Sequence, residues 1–178
     1  MHARIIELFA YLDSQRDVLR SAFQAVPPAL RDQSPTGRWS AGAVVEHLAI
    51  LQPRLAGILS TKIAEARAAG VGPETSFEPL LPTFDLDKVV DRTTRATAPE
   101  TGQPKGLAAA DAWEALERGT PLIREALLSG SDLALNEVMH PHPRFGPMSV
   151  YQWVAFAGAH EARHAAQIRE LLAELQAR

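Results

Sequence analysis

The sequence contains no cysteine. That excludes disulfides, thiolate metal ligands and a cysteine nucleophile, and any thiol chemistry then requires a thiol cosubstrate. No run approaches the roughly 18 uncharged apolar residues that a membrane-spanning helix needs. The opening stretch, Met1 to Glu7, holds no long apolar segment, so no signal peptide is expected and a cytoplasmic location is the default. Lysine and arginine are not clustered and the formal net charge is −3. Neither a nucleic-acid partner nor a membrane partner is therefore expected. Repeats of 20 to 50 residues and low-complexity tracts are also absent. What remains is an ordinary globular composition, 46% hydrophobic and 22% charged. Its 178 residues are enough for one domain, 1–178, with a core of its own.

The apolar residues recur at helical spacing in four places. In the first, residues 3 to about 26, Ile5, Phe9, Leu12, Leu19, Phe23 and Val26 form a stripe that Arg16 and Asp17 mildly break, and Pro27-Pro28 stops it. In the second, Ser40 is a natural N-cap with Trp39 as a staple onto Val44, and the stripe runs Val44, His47/Leu48, Leu51, Leu55, Ile58/Leu59. Pro53 falls inside this pattern and predicts a kink or a strained turn just after His47. The third runs from about Leu107 to Leu128, with Gly119 and Pro121 weakening its middle. The fourth begins at Ser149, where Gln152 completes a capping box, and runs to about residue 176. Between the second and third lies Gly70 to Gly106, rich in Pro, Gly, Thr and charge, with a short helical turn expected to begin at Val89-Val90. His140-Pro141-His142-Pro143-Arg144-Phe145-Gly146-Pro147 reads as a fixed loop, and no strand pair is expected. The expected fold is an all-α four-helix bundle with a long connection between the second and third helices.

His160 and His164 lie four residues apart on one helix face, in line with Trp153, Ala157, Gln167 and Leu171. A neutral imidazole aimed at a core needs a polar partner, and a metal ion is one. His47 stands on the apolar stripe of the second helix, which can face the fourth across the bundle. Three imidazoles with open positions make a catalytic type of metal site, because closed structural sites use four protein ligands. Nitrogen-only ligation suits Zn, Ni, Fe, Co or Cu and disfavours Mg and Ca.

Three motifs together resemble the DinB-like (DinB/YfiT) superfamily. They are Trp39-Ser40 with Val45-Glu46-His47-Leu48, then His142-Pro143 with Phe145-Gly146-Pro147-Met148-Ser149, then His160-Glu161 with Arg163-His164 and Gln167-Ile168. The resemblance covers nearly the whole chain and fades in the 70–106 segment. It implies a four-helix bundle with a divalent metal on His47, His160 and His164. Some members of that superfamily are S-transferases or isomerases that use a low-molecular-weight thiol, bacillithiol or mycothiol, and many have no assigned activity. A homodimer resembles the habit of the family.

The remaining candidates carry two readings each. Glu161 follows His160 as in H-E-x-x-H, where the glutamate is a general base beside the metal. Its other reading is an ion pair with a neighbour such as Arg163 or Arg169, or plain solvation. A zincin-type peptidase is not expected, since no strand pattern or third-ligand helix follows. Gln167, one turn beyond His164, either orients a ligand or hydrogen-bonds loop backbone. His142 and His140 either reach the substrate or hold the loop. Glu46 points about 100° away from His47 and can support a loop or another helix. Arg163 is read as structural. The expectation is a divalent-metal-dependent enzyme acting on a small-molecule substrate by thiol transfer or hydrolysis; the alternative is a non-catalytic metal- or ligand-binding bundle.

Overall fold

The computed structural model describes residues 1–93 and 97–177. Four long helices carry the fold: α1 (Ala3–Ala25), α2 (Ala41–Ala68), α4 (Ala109–Ser129) and α5 (Val150–Gln176). A short α3 (Leu86–Val90) lies in the long connection; it ends at Val89-Val90, where the sequence predicts a helical turn to begin. Of that connection, residues 94–96 lie outside the described residues. No described helix is long and apolar enough to cross a membrane.

The helix boundaries follow from capping. Ser40 Oγ accepts from the Ala43 amide at 3.0 Å and opens α2. Ser149 and Gln152 form the reciprocal capping box of α5. Helix α4 begins two residues later than the sequence suggests, at Ala109, because its cap is not local: Asp32 Oδ1 accepts from the Ala109 amide at 3.0 Å. Helix α2 runs through Pro53, and α4 through Gly119 and Pro121, without interruption.

Contacts between the helices fix their directions. Gly42 lies against Ala109, Gly119 against Gln52 and Pro53, and Gly130 against Ile63. Residue numbers rise together along α2 and α4, so these two helices are parallel. At the first of these crossings a β-carbon on Gly42 would stand 3.0 Å from Ala109 Cα and 2.7 Å from Asp32 Oδ1, which is why only glycine fits there. Helices α1 and α5 are parallel too: Tyr11 meets Gly158 and Arg16 meets Glu161. Between the pairs the numbering runs opposite, as in His47 with His164 and Gln52 with Glu161. The order is up, down, down, up. Two consecutive parallel helices require a crossover along the bundle. At 28 residues α2 is roughly 42 Å long, and the connection after it has to return that distance.

Two apolar clusters fill the bundle. One gathers Leu19, Phe23, Val44, Leu48, Leu116 and Ile168 near the N-termini of α2 and α4. The other gathers Ile5, Leu8, Leu59, Leu127, Val150 and Val154 at the opposite end. Polar residues divide them: Arg16, Gln52 and Glu161, all buried, and the histidines of α2 and α5.

One expectation is corrected. The proline-rich loop is a hairpin, β1 (Met139–His142) with β2 (Gly146–Ser149), antiparallel in the register Met139↔Ser149, His140↔Met148, Pro141↔Pro147, His142↔Gly146. Proline density argued against strands because proline cannot donate to a ladder. The pairing places Pro141 opposite Pro147, so both missing donors fall at one rung. Gly146, at φ +72°, closes the turn.

Candidate metal centre

His47 lies one and a half turns into α2, on the face turned to α5, and His160 and His164 stand a turn apart on α5. The three side chains meet. One ring nitrogen from each lies within 4.8 Å of the others. The His47 ring is 5.4 Å from that of His160 and 5.0 Å from that of His164. His160 Nε2 and His164 Nε2 are 3.0 Å apart. Two nitrogens on one tetrahedral zinc, at 2.0–2.1 Å each, stand about 3.4 Å apart, so the spacing is close to that of a shared ion.

The chain sets the tautomers. His47 Nδ1 donates to the Gly102 carbonyl at 2.6 Å, which leaves the lone pair on Nε2. His164 Nδ1 donates to Gln167 Oε1 at 2.9 Å, with the same result. Such outer partners fix the orientation of metal-binding histidines. Burial pushes the His47 imidazole below its usual range, against the opposing pull of Gly102. His164 is pushed down to about 3, by burial first and then by His47. His160 lies well below its ordinary value, by burial and then by its two histidine neighbours. All three are neutral at pH 7, the form that binds metal. A set of neutral nitrogen donors with no carboxylate among them fits a divalent transition metal and not Mg or Ca.

These shifts have a consequence for the metal-free protein. Below about pH 6.5 the unfolded chain takes up protons on these histidines, whereas folded His164 does so only near pH 3. In that window the unfolded state binds more protons, so stability falls as pH falls. For His164 alone the loss is about 2 kcal/mol by pH 5. Urea unfolding of stripped protein at pH 7, 6 and 5 checks this; a flat stability would mean that the histidines are not held neutral.

Gln167 thus serves the His164 ring, a role outside both readings made for it, and it also accepts from Arg92 Nη1 at 3.4 Å. Glu161 is not turned to the histidines. Its carboxylate accepts from Arg16 Nε at 2.9 Å, Arg16 Nη2 at 2.6 Å and Gln52 Nε2 at 2.5 Å. The ion pair expected as its other reading exists, with Arg16 of α1 as the partner. His142, the last residue of β1, lies among Phe145, Trp153 and Phe156. Its imidazole is pushed down to about 4 by burial and then by Arg144. His140 lies against Trp153, whose indole N–H donates to the His140 carbonyl at 3.0 Å. Arg163 donates to the carbonyls of Val89 and Asp91 and so ties α3 to α5.

Sequence reasoning missed Gly102, Arg16 and Gln52. Of the two expectations for Glu46, a loop or another helix, the structure shows the loop, and it is the one that carries Gly102. Buried Glu46 accepts from the amides of Lys105 at 2.8 Å, Gly106 at 3.0 Å and Leu107 at 3.0 Å. This clamp fixes the end of the crossover and with it the carbonyl that orients His47. Glu46→Ala is expected to weaken metal binding about 10–100-fold through loss of that outer partner. Competition titration against a chelator measures it; unchanged affinity would detach the loop from the orientation of His47.

The fold and the site define a helical bundle with a buried three-histidine group fit for a divalent metal ion. Residues 11–168 match the DinB superfamily, and the chain belongs to it. An uncharacterized protein of Bacillus subtilis (strain 168), YuaE, is 26% identical over 151 residues, which cover 82% of this chain and 85% of the relative. No solved structure matches.

Proposed function

We propose that this protein is a divalent-metal-dependent enzyme that acts on a small molecule by thiol transfer or by hydrolysis, with His47, His160 and His164 as the metal ligands. The observation that carries the reading is the convergence of three imidazoles from two helices, with two lone pairs directed by Gly102 and Gln167. Three protein ligands leave coordination positions open for substrate. When bound, the ion supplies Lewis acidity that turns water or a thiol into a nucleophile at neutral pH. The residues of the chain do the rest. Gly102 and Gln167 hold two rings in place, and Phe156 stacks on the third, His160. Glu161 takes no proton in this reading, because Arg16 and Gln52 occupy its carboxylate.

That occupation favours a second reading, a metal-binding bundle without turnover. Metal stripping separates the two. The chain is expected to remain folded by circular dichroism after chelation, since its core is large enough without metal. Turnover of a low-molecular-weight thiol with an electrophile, or of an ester, is then expected only after Zn, Ni or Fe is restored. Collapse on stripping, with no turnover in either assay after reconstitution, supports the non-catalytic reading.

A further inference from the structure

His47 and His164 are buried and His160 is half-buried, so the cluster meets solvent on the His160 side. That side is made of rings. Phe156 stacks on His160 at 5.3 Å with 15° between the planes. The His142 ring lies 4.7 Å from Phe156 and 4.8 Å from Phe145. Phe84, from the long connection, reaches Phe145 at 6.1 Å. Phe84, Phe145 and Phe156 are only half-buried, so the layer is open along one edge.

Two polar groups on this layer lack partners. His142 Nδ1 accepts from the amides of Arg144 at 3.1 Å and Phe145 at 3.3 Å. Its proton therefore sits on Nε2, and that N–H meets no acceptor among the described residues. Arg144 is exposed, with its guanidinium 5.9 Å from the Phe145 ring, and it has no ion-pair partner among the described residues. Arg163 and Arg92 bring positive charge near His160 and His164, and Arg92 is held by Glu170 at 2.7 Å. A divalent ion adds two positive charges to this field, and no carboxylate belongs to the ligand group. Such a site is completed by an anion.

We propose that this shelf of rings is the substrate subsite, and that it takes small aromatic carboxylates. The arene lies on Phe145 and Phe156, and its carboxylate accepts from His142 Nε2 and from the Arg144 guanidinium. Flat rings meeting at 4.7 to 6.1 Å suit an arene better than a puckered aliphatic ring. A donor pair of one N–H and one guanidinium suits a carboxylate, in charge-assisted hydrogen bonds. The proposal rests on the reading of the histidine cluster as the reaction centre, toward which the shelf leads.

The test is calorimetric titration of metal-reconstituted protein, with its metal content measured, using 4-nitrobenzoate, 4-nitrobenzamide and cyclohexanecarboxylate. 4-Nitrobenzoate is expected to bind at least about tenfold tighter than either analogue. Arg144→Gln is expected to remove the preference over the amide and to keep the preference over the cyclohexane acid. Phe145→Leu is expected to do the reverse. Equal binding of the three probes, no binding, or an Arg144→Gln protein with its full preference for the carboxylate overturns the proposal. Arg144 is exposed, so its variant decides the question even if Phe145→Leu fails to fold. If the protein holds no metal, the reading of the cluster fails. The same preferences measured on the metal-free chain then decide the shelf, because Arg144 and Phe145 lie outside the ligand group.

Discussion

Arg16→Met is expected to lower the unfolding free energy by about 3–5 kcal/mol, among the largest effects of any single substitution in this chain. At about 2–4 °C per kcal/mol for a chain of this size, the melting temperature falls by roughly 6–20 °C. The reason is where Arg16 sits. It is 5% exposed, between the two apolar clusters, and binds Glu161, itself 3% exposed, through two hydrogen bonds. Thr120 Oγ1 and Gln52 Oε1 take further donors of the guanidinium, at 2.5 and 3.3 Å. Methionine fills much of the same space but leaves the Glu161 carboxylate buried with Gln52 alone. Glu161→Leu is expected to cost somewhat less, because the guanidinium keeps Glu117 at 3.6 Å, Thr120 and Gln52. The double variant is expected to recover much of either loss, because the cost of burying both charges disappears with the pair. Thermal unfolding of the four proteins measures the coupling. Strictly additive losses would show that the two residues do not act as a pair.

The Arg16 site also shows what the sequence can and cannot express. In the first helix Arg16 is visible only as a break in an apolar stripe. The break was the signal, since a charge on a core-facing stripe has to be paired where it lies. Its partner, 145 positions away, cannot be found from spacing along one helix. The histidines were legible for the opposite reason. His160 and His164 share a face by local periodicity, and His47 lies on the apolar stripe of its own helix, so each orientation follows from the 3.6-residue repeat. Their outer partners divide in the same way: Gln167, three residues from His164, is local, and Gly102, 55 residues from His47, is not. The start of α4 was misplaced because Asp32 caps it from another segment. The hairpin was hidden because its two prolines cancel the strand signal one at a time and fit a ladder only as a pair.

His47→Ala is expected to empty the metal centre while the chain stays folded. Wild-type protein should hold about one transition-metal ion per chain. Without His47, two imidazoles a turn apart on α5 remain, and the second helix contributes nothing. Affinity should fall by more than the about 10–100-fold that follows loss of an outer partner. The site lies at the join of two cores that pack α2 against α4 and α1 against α5, so truncating one imidazole leaves most of the apolar burial intact. His142→Ala serves as the control: its Nδ1 is occupied by two backbone amides and its ring lies among Phe145, Trp153 and Phe156. Metal content after exhaustive dialysis, read by elemental analysis, should be near zero for His47→Ala and unchanged for His142→Ala. An unchanged content in His47→Ala would remove α2 from the site. It would also remove the helix-to-helix convergence from which the chemistry proposed for this protein is built.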